Sequence, residues 1–306
     1  MQAGKPVDGR ALGLMCVLCA IWGFQQVTLK AAAADVTPLF QLALRSGGAA
    51  VLVLIVMAVR GHRLRPSPGL WKPGLAVGAL FALEFLLVGE GLRYTTASHM
   101  VVFLYTAPIF AALGLQYFIP HERLNALQWL GILVAFAGTA VAFSGKLFEP
   151  GGSRQLLGDA LGLMGAVAWA ATTLTVRCTP LATARTTLVL LYQLVGGFIL
   201  LLCASLVTGQ AHFNPTAIAL ASLAFQTLVV SFGSFLIWFW LLGHYLASRI
   251  GVLSFLTPLY GVVFGVVLLG EPLEPAFIAG AVLVLAGIVL VSGHEFVRRL
   301  SRATTS

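Results

Sequence analysis

The chain has 306 residues, of which 59% are hydrophobic and only 9% charged, and its formal charge is +8. A water-soluble surface needs roughly a quarter of its residues charged, so the composition excludes a soluble globular protein and implies a polytopic membrane protein. The basic residues stand singly or in short groups rather than in one patch, which argues against a nucleic-acid interface and for loops retained on one side of a bilayer.

A helix needs about 20 mostly apolar residues to cross a bilayer. In chain order such runs fall at 11–34, 38–60, 72–92, 95–119, 124–144, 157–177, 185–207, 216–242, 248–269 and 275–293. The spans must be helices, because lipid offers no partner to backbone groups and the short alternating segments of a membrane barrel are absent. Residues 1–10 read as a cytoplasmic N-terminal segment, 145–156 as a periplasmic linker rich in breakers, and 294–306 as a basic cytoplasmic tail at the lipid surface. The first apolar run is too long for a signal peptide's core of roughly 7–15 residues.

The ten spans are two copies of five. ALGLM at 11–15 returns at 160–164, and Gly47-Gly48 as Gly196-Gly197. Ala97-Ser98 returns as Ala247-Ser248, Pro108 as Pro258, and Gly131 and Gly138 as Gly280 and Gly287. The repeats are therefore 11–144 and 157–293. Because five is odd, the second copy must enter the membrane from the opposite side.

Arginine and lysine test that orientation. With the N-terminus in the cytoplasm, the inside receives Lys5, Arg10, Arg60, Arg63, Arg65, Lys72, Arg123, Arg177, Arg185, Arg249, Arg298, Arg299 and Arg302. The outside receives only Lys30, Arg93, Lys146 and Arg154, and Arg45 lies within the second span. Both termini are thus expected inside a bacterial inner membrane, with the repeats inverted. Inverted repeats suit a carrier, since two similar halves that exchange conformations open a midplane site to each side in turn.

The motifs carry a resemblance. WGFQQVTLKA in the first span, TAP at 106–108 and PHER at 120–123 are answered by LTP at 256–258 and GEP at 270–272, and AFAGTAVAFSG by VLAGIVLVSG. On these the chain resembles the drug/metabolite transporter superfamily, and within it the EamA-type ten-helix exporters. Glu84, Trp22 and Trp169 make it most similar to bacterial aromatic amino-acid exporters. The resemblance implies export of aromatic or large apolar amino acids by alternating access, with the fourth and ninth spans bending at their centres. Efflux of cationic drugs or other small metabolites is the alternative, and a channel-like or structural membrane protein a further one.

Several residues stand out at membrane depth. Pro108 and Pro258, at equivalent places, are candidate hinges, since a mid-helix proline removes a backbone bond and kinks the helix. Glu84 is costly in lipid and must face a cavity or a partner. It can hold a substrate ammonium, exchange a proton, or pair with Arg45, which lies at a similar depth by rise per residue. Trp22, Trp169, Tyr105, Tyr260 and Trp238 are candidate cavity aromatics, whose faces suit apolar side chains and cations. Gln25, His99, Thr172 and Ser254 are candidate polar cavity groups, and these four, like Gln26 and Gln226, can either hydrogen-bond a substrate or bond across helices as packing glue.

Glu90 and Arg93 form a local surface pair, and Cys16 and Cys19, though spaced CxxC, read as buried thiols. No catalytic, metal or cofactor motif is present, and without a phosphate loop ATP is not the direct fuel. The expected partners are an amino-acid substrate and the lipid bilayer. Energy coupling and oligomeric state stay open, and a monomer is compatible with the pattern.

Overall fold

The fold is given by a computed structural model that describes residues 5, 7–61, 69–95, 97–144, 152–269 and 275–303. Among the described residues, thirteen α-helices run in order as α1 Gly9–Ala31, α2 Pro38–Val59, α3 Trp71–Gly91, α4 Ala97–Leu104, α5 Ala107–Phe118, α6 Ala126–Ala142 and α7 Gly152–Cys178. They continue as α8 Thr186–Val207, α9 Ala217–Phe225, α10 Phe235–His244, α11 Ala247–Leu253, α12 Leu256–Leu269 and α13 Pro275–Ala303, with a π-helical stretch Gln226–Ser234 joining α9 to α10. Seven helical stretches are long and apolar enough to cross a bilayer, and three shorter apolar helices complete the set among the described residues. Most of the 145–156 linker and the GEP motif lie outside the described residues, as do the side chains of His99, Gln26 and 292–303.

Local chemistry places several ends. Asn125 and Gln128 form a reciprocal capping box at the start of α6. After α2 and α8 the chain turns at Gly61 (φ 63°) and Gly209 (φ 68°), left-handed conformations that favour glycine beyond a helix end. These two glycines hold equivalent places in the two copies. The sixth span starts earlier than expected, at Gly152, because the polar residues ahead of its apolar run continue the helix outward. The last helix likewise runs on through the expected tail to Ala303.

The fourth and ninth spans are each two helices. Tyr105-Thr106 separates α4 from α5, and Ser254-Phe255 separates α11 from α12. The expected site of bending needs correction here. The turn precedes each proline, and Pro108 and Pro258 lie in the first turn of the following helix, where a missing N–H removes no intrahelical bond. In each copy a hydroxyl of the turn adds a second bond to the carbonyl three residues back, which already accepts that residue's backbone N–H. Thr106 Oγ1 donates to the Phe103 carbonyl and Ser254 Oγ to the Gly251 carbonyl, both at 2.6 Å.

Packing repeats with the sequence. The α2 helix packs on its counterpart α8, and α6 on its counterpart α13. The α3 helix packs on α7 and α8, and correspondingly the π stretch packs on α1 and α2. The α1 helix packs on α12, as α7 packs on α4 and α5.

The α6–α13 crossing gives the sense of the symmetry. A Cβ on Gly131 would lie 2.7 Å from the Gly287 carbonyl oxygen, and one on Gly138 would lie 2.7 Å from that of Gly280. Positions ascending on one helix meet positions descending on the other, so equivalent helices pack antiparallel. Only a twofold axis perpendicular to the helices exchanges them, which makes the two repeats inverted. Around the outside, Val51, Ile55, Val59, Leu75, Tyr117, Val207 and Val289 are each more than half exposed. Water would penalise such a belt. Lipid tails do not.

Candidate substrate cavity

Between the repeats lies a cavity of about 120 Å³. This is well above the roughly 10–15 Å³ that a cavity needs to hold one water. Its wall is built from helix faces: Trp22 and Gln25 on α1, Phe81, Glu84 and Phe85 on α3, Trp169, Thr172 and Thr173 on α7, and Phe235, Trp238, Phe239 and Leu242 on α10. Spacings of three and four keep each group on one side of its helix. Gln193 of α8 and the end of α4, with Leu104 and Tyr105, complete the lining.

The aromatic wall is fixed by edge contacts. Trp22 meets Trp238 with ring centroids 5.6 Å apart, and its indole N–H donates to Ser234 Oγ at 2.9 Å. Trp169 meets Tyr105 at 5.5 Å. The two tryptophans hold equivalent places yet pack on different spans, so the cavity is less symmetric than the scaffold.

The amides of Gln25 and Gln193 and the carboxylate of Glu84 reach this wall without a hydrogen-bond partner among the described residues. The hydroxyls of Thr172 and Thr173 instead donate to the carbonyls of Ala168 and Trp169 on their own helix, at 3.0 and 3.4 Å.

The expected ion pair between Arg45 and Glu84 is not formed. The guanidinium interacts with Glu84 only through space. It is fully buried and donates from Nη1 to Gln226 Oε1 at 2.6 Å. Gln226 in turn donates from Nε2 to the Gln25 carbonyl at 3.1 Å and to Thr28 Oγ1 at 2.9 Å. The pairing fails because Gln226, at the first π turn, reaches the arginine from α1's side while Glu84 turns toward the cavity. Of the two roles open to Gln226, the structure shows the bond between helices.

Seven of the ten expected cavity residues line the cavity: Trp22, Gln25, Glu84, Tyr105, Trp169, Thr172 and Trp238. Ser254 does not. It borders a separate void of about 10 Å³ with Pro108, because it sits in the α11–α12 turn. Tyr260 does not line the cavity either. Its Cβ faces Gly23 of α1 and its ring stacks on Phe264, since the helix has turned it away by that point. The His99 side chain lies outside the described residues. Phe81, Phe85, Phe235, Phe239, Thr173 and Gln193 were not singled out from the sequence. The phenylalanines gave no signal against an apolar background, whereas Gln193, a polar group within a span, did.

Polar ties close both ends of the bundle. At the end that carries the N-terminal segment, Glu122 of PHER is 1% exposed. It accepts from Arg177 Nη2 at 2.6 Å, from Ser248 Oγ at 2.7 Å, and from the backbone N–H groups of Ala247 and Ser248. Beside it the Tyr245 hydroxyl donates to Asp8 at 3.0 Å, and Lys5 forms a backbone bridge with Tyr245. Thr95 Oγ1 donates to Asp159 at 2.6 Å in the other copy, where the start of α7 is tied as Asp8 ties the start of α1. At that opposite end Asp35 accepts from Thr216 Oγ1 at 2.6 Å and from Asn214 Nδ2 at 3.2 Å. The Glu90–Arg93 surface pair is present at 2.9 Å, and Glu90, by hydrogen bond and then by charge, raises the Arg93 guanidinium above its ordinary value.

The cavity thus lies between inverted repeats, with polar ties at each end of the bundle, and known proteins share this sequence and fold. The chain is similar to an uncharacterized transporter of Bacillus subtilis (strain 168), YvbV, at 28% identity over 91% of this chain and 90% of that one. It is similar to a probable amino-acid metabolite efflux pump of Salmonella typhimurium, at 28% identity over 95% and 97% of the two chains. An uncharacterized inner membrane transporter of Escherichia coli, YedA, is 29% identical over 52% of this chain. A solved crystal structure shares the fold with TM-score 0.79 at 20% identity, covering 94% of this chain and 98% of that one. Residues 9–144 and 156–293 each match the EamA-like transporter family, one match for each inverted half, and the protein is a membrane transporter belonging to that family.

Proposed function

We propose that the protein exports amino acids with aromatic or large apolar side chains by alternating access, with both termini in the cytoplasm and the central cavity as the substrate site. The observation that carries this reading is the Glu84 carboxylate, without a hydrogen-bond partner among the described residues, in a largely aromatic cavity. An aromatic wall suits a large apolar side chain, and a carboxylate in a low-dielectric site suits an ammonium. The Salmonella relative described as a probable amino-acid metabolite efflux pump supports the same class.

The broken spans supply the movement. Each turn ahead of Pro108 and Pro258 leaves two half-helices joined by two residues, so that one half can tilt while the other stays packed. Opening toward the cytoplasm requires the Glu122–Arg177–Ser248 tie and the Asp8–Tyr245 contact to part. Opening outward requires Asp35 to release Thr216 and Asn214.

Purified protein in proteoliposomes should take up labelled phenylalanine in saturable exchange for unlabelled phenylalanine inside. Saturable exchange of a cationic dye without phenylalanine exchange would turn the reading to drug efflux. Non-saturating flux of both would indicate a channel.

A further inference from the structure

Arg45 is placed unlike any other cation among the described residues. It is 0% exposed, lies on α2 within the bundle, and makes one hydrogen bond, from Nη1 to Gln226. Its Nε and Nη2 are buried and have no partner among the described residues. Those two atoms are adjacent on one edge of the guanidinium and donate in parallel, the side-on fork that matches the two oxygens of a carboxylate. Gln226 occupies the other edge and fixes the plane in which the fork points.

The fork is close to the cavity. The guanidinium carbon lies 5.2 Å from the Phe85 ring centroid and 6.0 Å from that of Phe235. Both rings line the cavity. Arg45 therefore stands one side chain behind the wall, and a ligand in the cavity reaches it only where one of these rings turns aside. Glu84, the neighbour of Phe85, faces the cavity itself and leaves the fork unpaired. A buried guanidinium cannot shed its proton, and desolvation without full hydrogen bonding is costly. An arriving anion offsets that cost.

From this geometry we infer that Arg45 is the carboxylate-binding residue of the transport site, so that the substrate is a zwitterion held by its ammonium at Glu84 and by its carboxylate at the Arg45 fork. The inference rests on the amino-acid reading above and narrows it. Gln226 is the positioning residue that holds the guanidinium. Compounds that keep the ammonium and aromatic group but lack a free carboxylate are poor substrates.

The test is competition against labelled phenylalanine exchange in proteoliposomes of the unaltered protein, with phenylalanine and phenylalaninamide as competitors. The amide keeps the ammonium and ring and loses the carboxylate. It should compete at least about tenfold more weakly, the discrimination expected for loss of a charge-assisted bidentate contact. Arg45→Lys keeps the charge and removes the fork. In protein that elutes as a single species it should bring acid and amide to within about threefold of each other.

Equal competition by acid and amide in the unaltered protein overturns the assignment and leaves the amino-acid reading standing. So does an Arg45→Lys protein, eluting as one species, that keeps the original ratio. Absence of saturable phenylalanine exchange in the unaltered protein overturns both.

Discussion

Glu84 and Arg45 show how one residue can be legible from the chain while its partner is not. Each is anomalous in an apolar span, and rise per residue places them at similar depth. What depth leaves open is the direction around the helix axis, and here Glu84 turns to the cavity while Gln226 intercepts Arg45. Glu84→Gln removes the cavity's negative charge and should lower phenylalanine exchange at least tenfold, measured as initial rate in proteoliposomes. If Glu84 also carries a proton, the variant's rate should lose its dependence on pH, and an unchanged profile would limit Glu84 to binding. Trp22→Phe keeps a ring against Trp238 and loses the indole donor to Ser234, so a modest rise in half-saturation with an unchanged maximal rate is expected. Arg93→Ala should leave the melting temperature unchanged, because its pair with Glu90 is on the surface. The raised Arg93 value would matter to stability only as pH rises through the arginine range, which is outside any working pH, and solvent screening of this exposed pair leaves little to lose.

At the level of elements, two features hold the bundle in shape. The first is the α6–α13 crossing, where backbone meets backbone at the paired glycines. Gly138→Leu places a Cβ 2.6 Å from the Val284 nitrogen and 2.7 Å from the Gly280 carbonyl oxygen, backbone atoms that cannot swing aside. Overpacking of this kind costs about 1–3 kcal/mol or more, and thermal unfolding in detergent should show it as a clear fall in melting temperature. The second is the buried Glu122, which accepts from Arg177 and from the first residues of α11. Breaking one side of a buried pair costs roughly 3–5 kcal/mol because the other charge remains. Glu122→Gln should lower the melting temperature, and adding Arg177→Met should recover part of the loss. Neither feature was assigned a role from the chain alone, though PHER was noted as a motif. The broken spans were anticipated at their prolines, but the turns come earlier, where the hydroxyls of Thr106 and Ser254 bond the carbonyls three residues back.

At the level of the molecule, the inverted arrangement is what makes a two-sided machine from one folding unit. The antiparallel meeting of α6 with α13 relates the copies by a twofold in the membrane plane, and the proposal of cytoplasmic termini rests on the excess of basic residues on one set of loops. In protein whose exposed Cys178 and Cys203 are first replaced by serine, cysteines introduced at Gln2 and Ser306 should both resist an impermeant thiol reagent in intact cells. One introduced at the exposed His212 should react. Labelling of only one terminus would contradict an even number of crossings.

Hydrophobic run length, the repeat and the charge bias are summed along the chain, so the sequence by itself determined the membrane class, the ten spans, the duplication and its inversion. Which side of a helix faces a cavity is not such a sum in a protein whose outside is as apolar as its core, because the usual contrast between faces is missing. Only the tertiary structure decided that the wall is built of Phe81, Phe85, Phe235 and Phe239 as well as the tryptophans, that Tyr260 and Ser254 turn away, and that Arg45 meets Gln226 rather than Glu84.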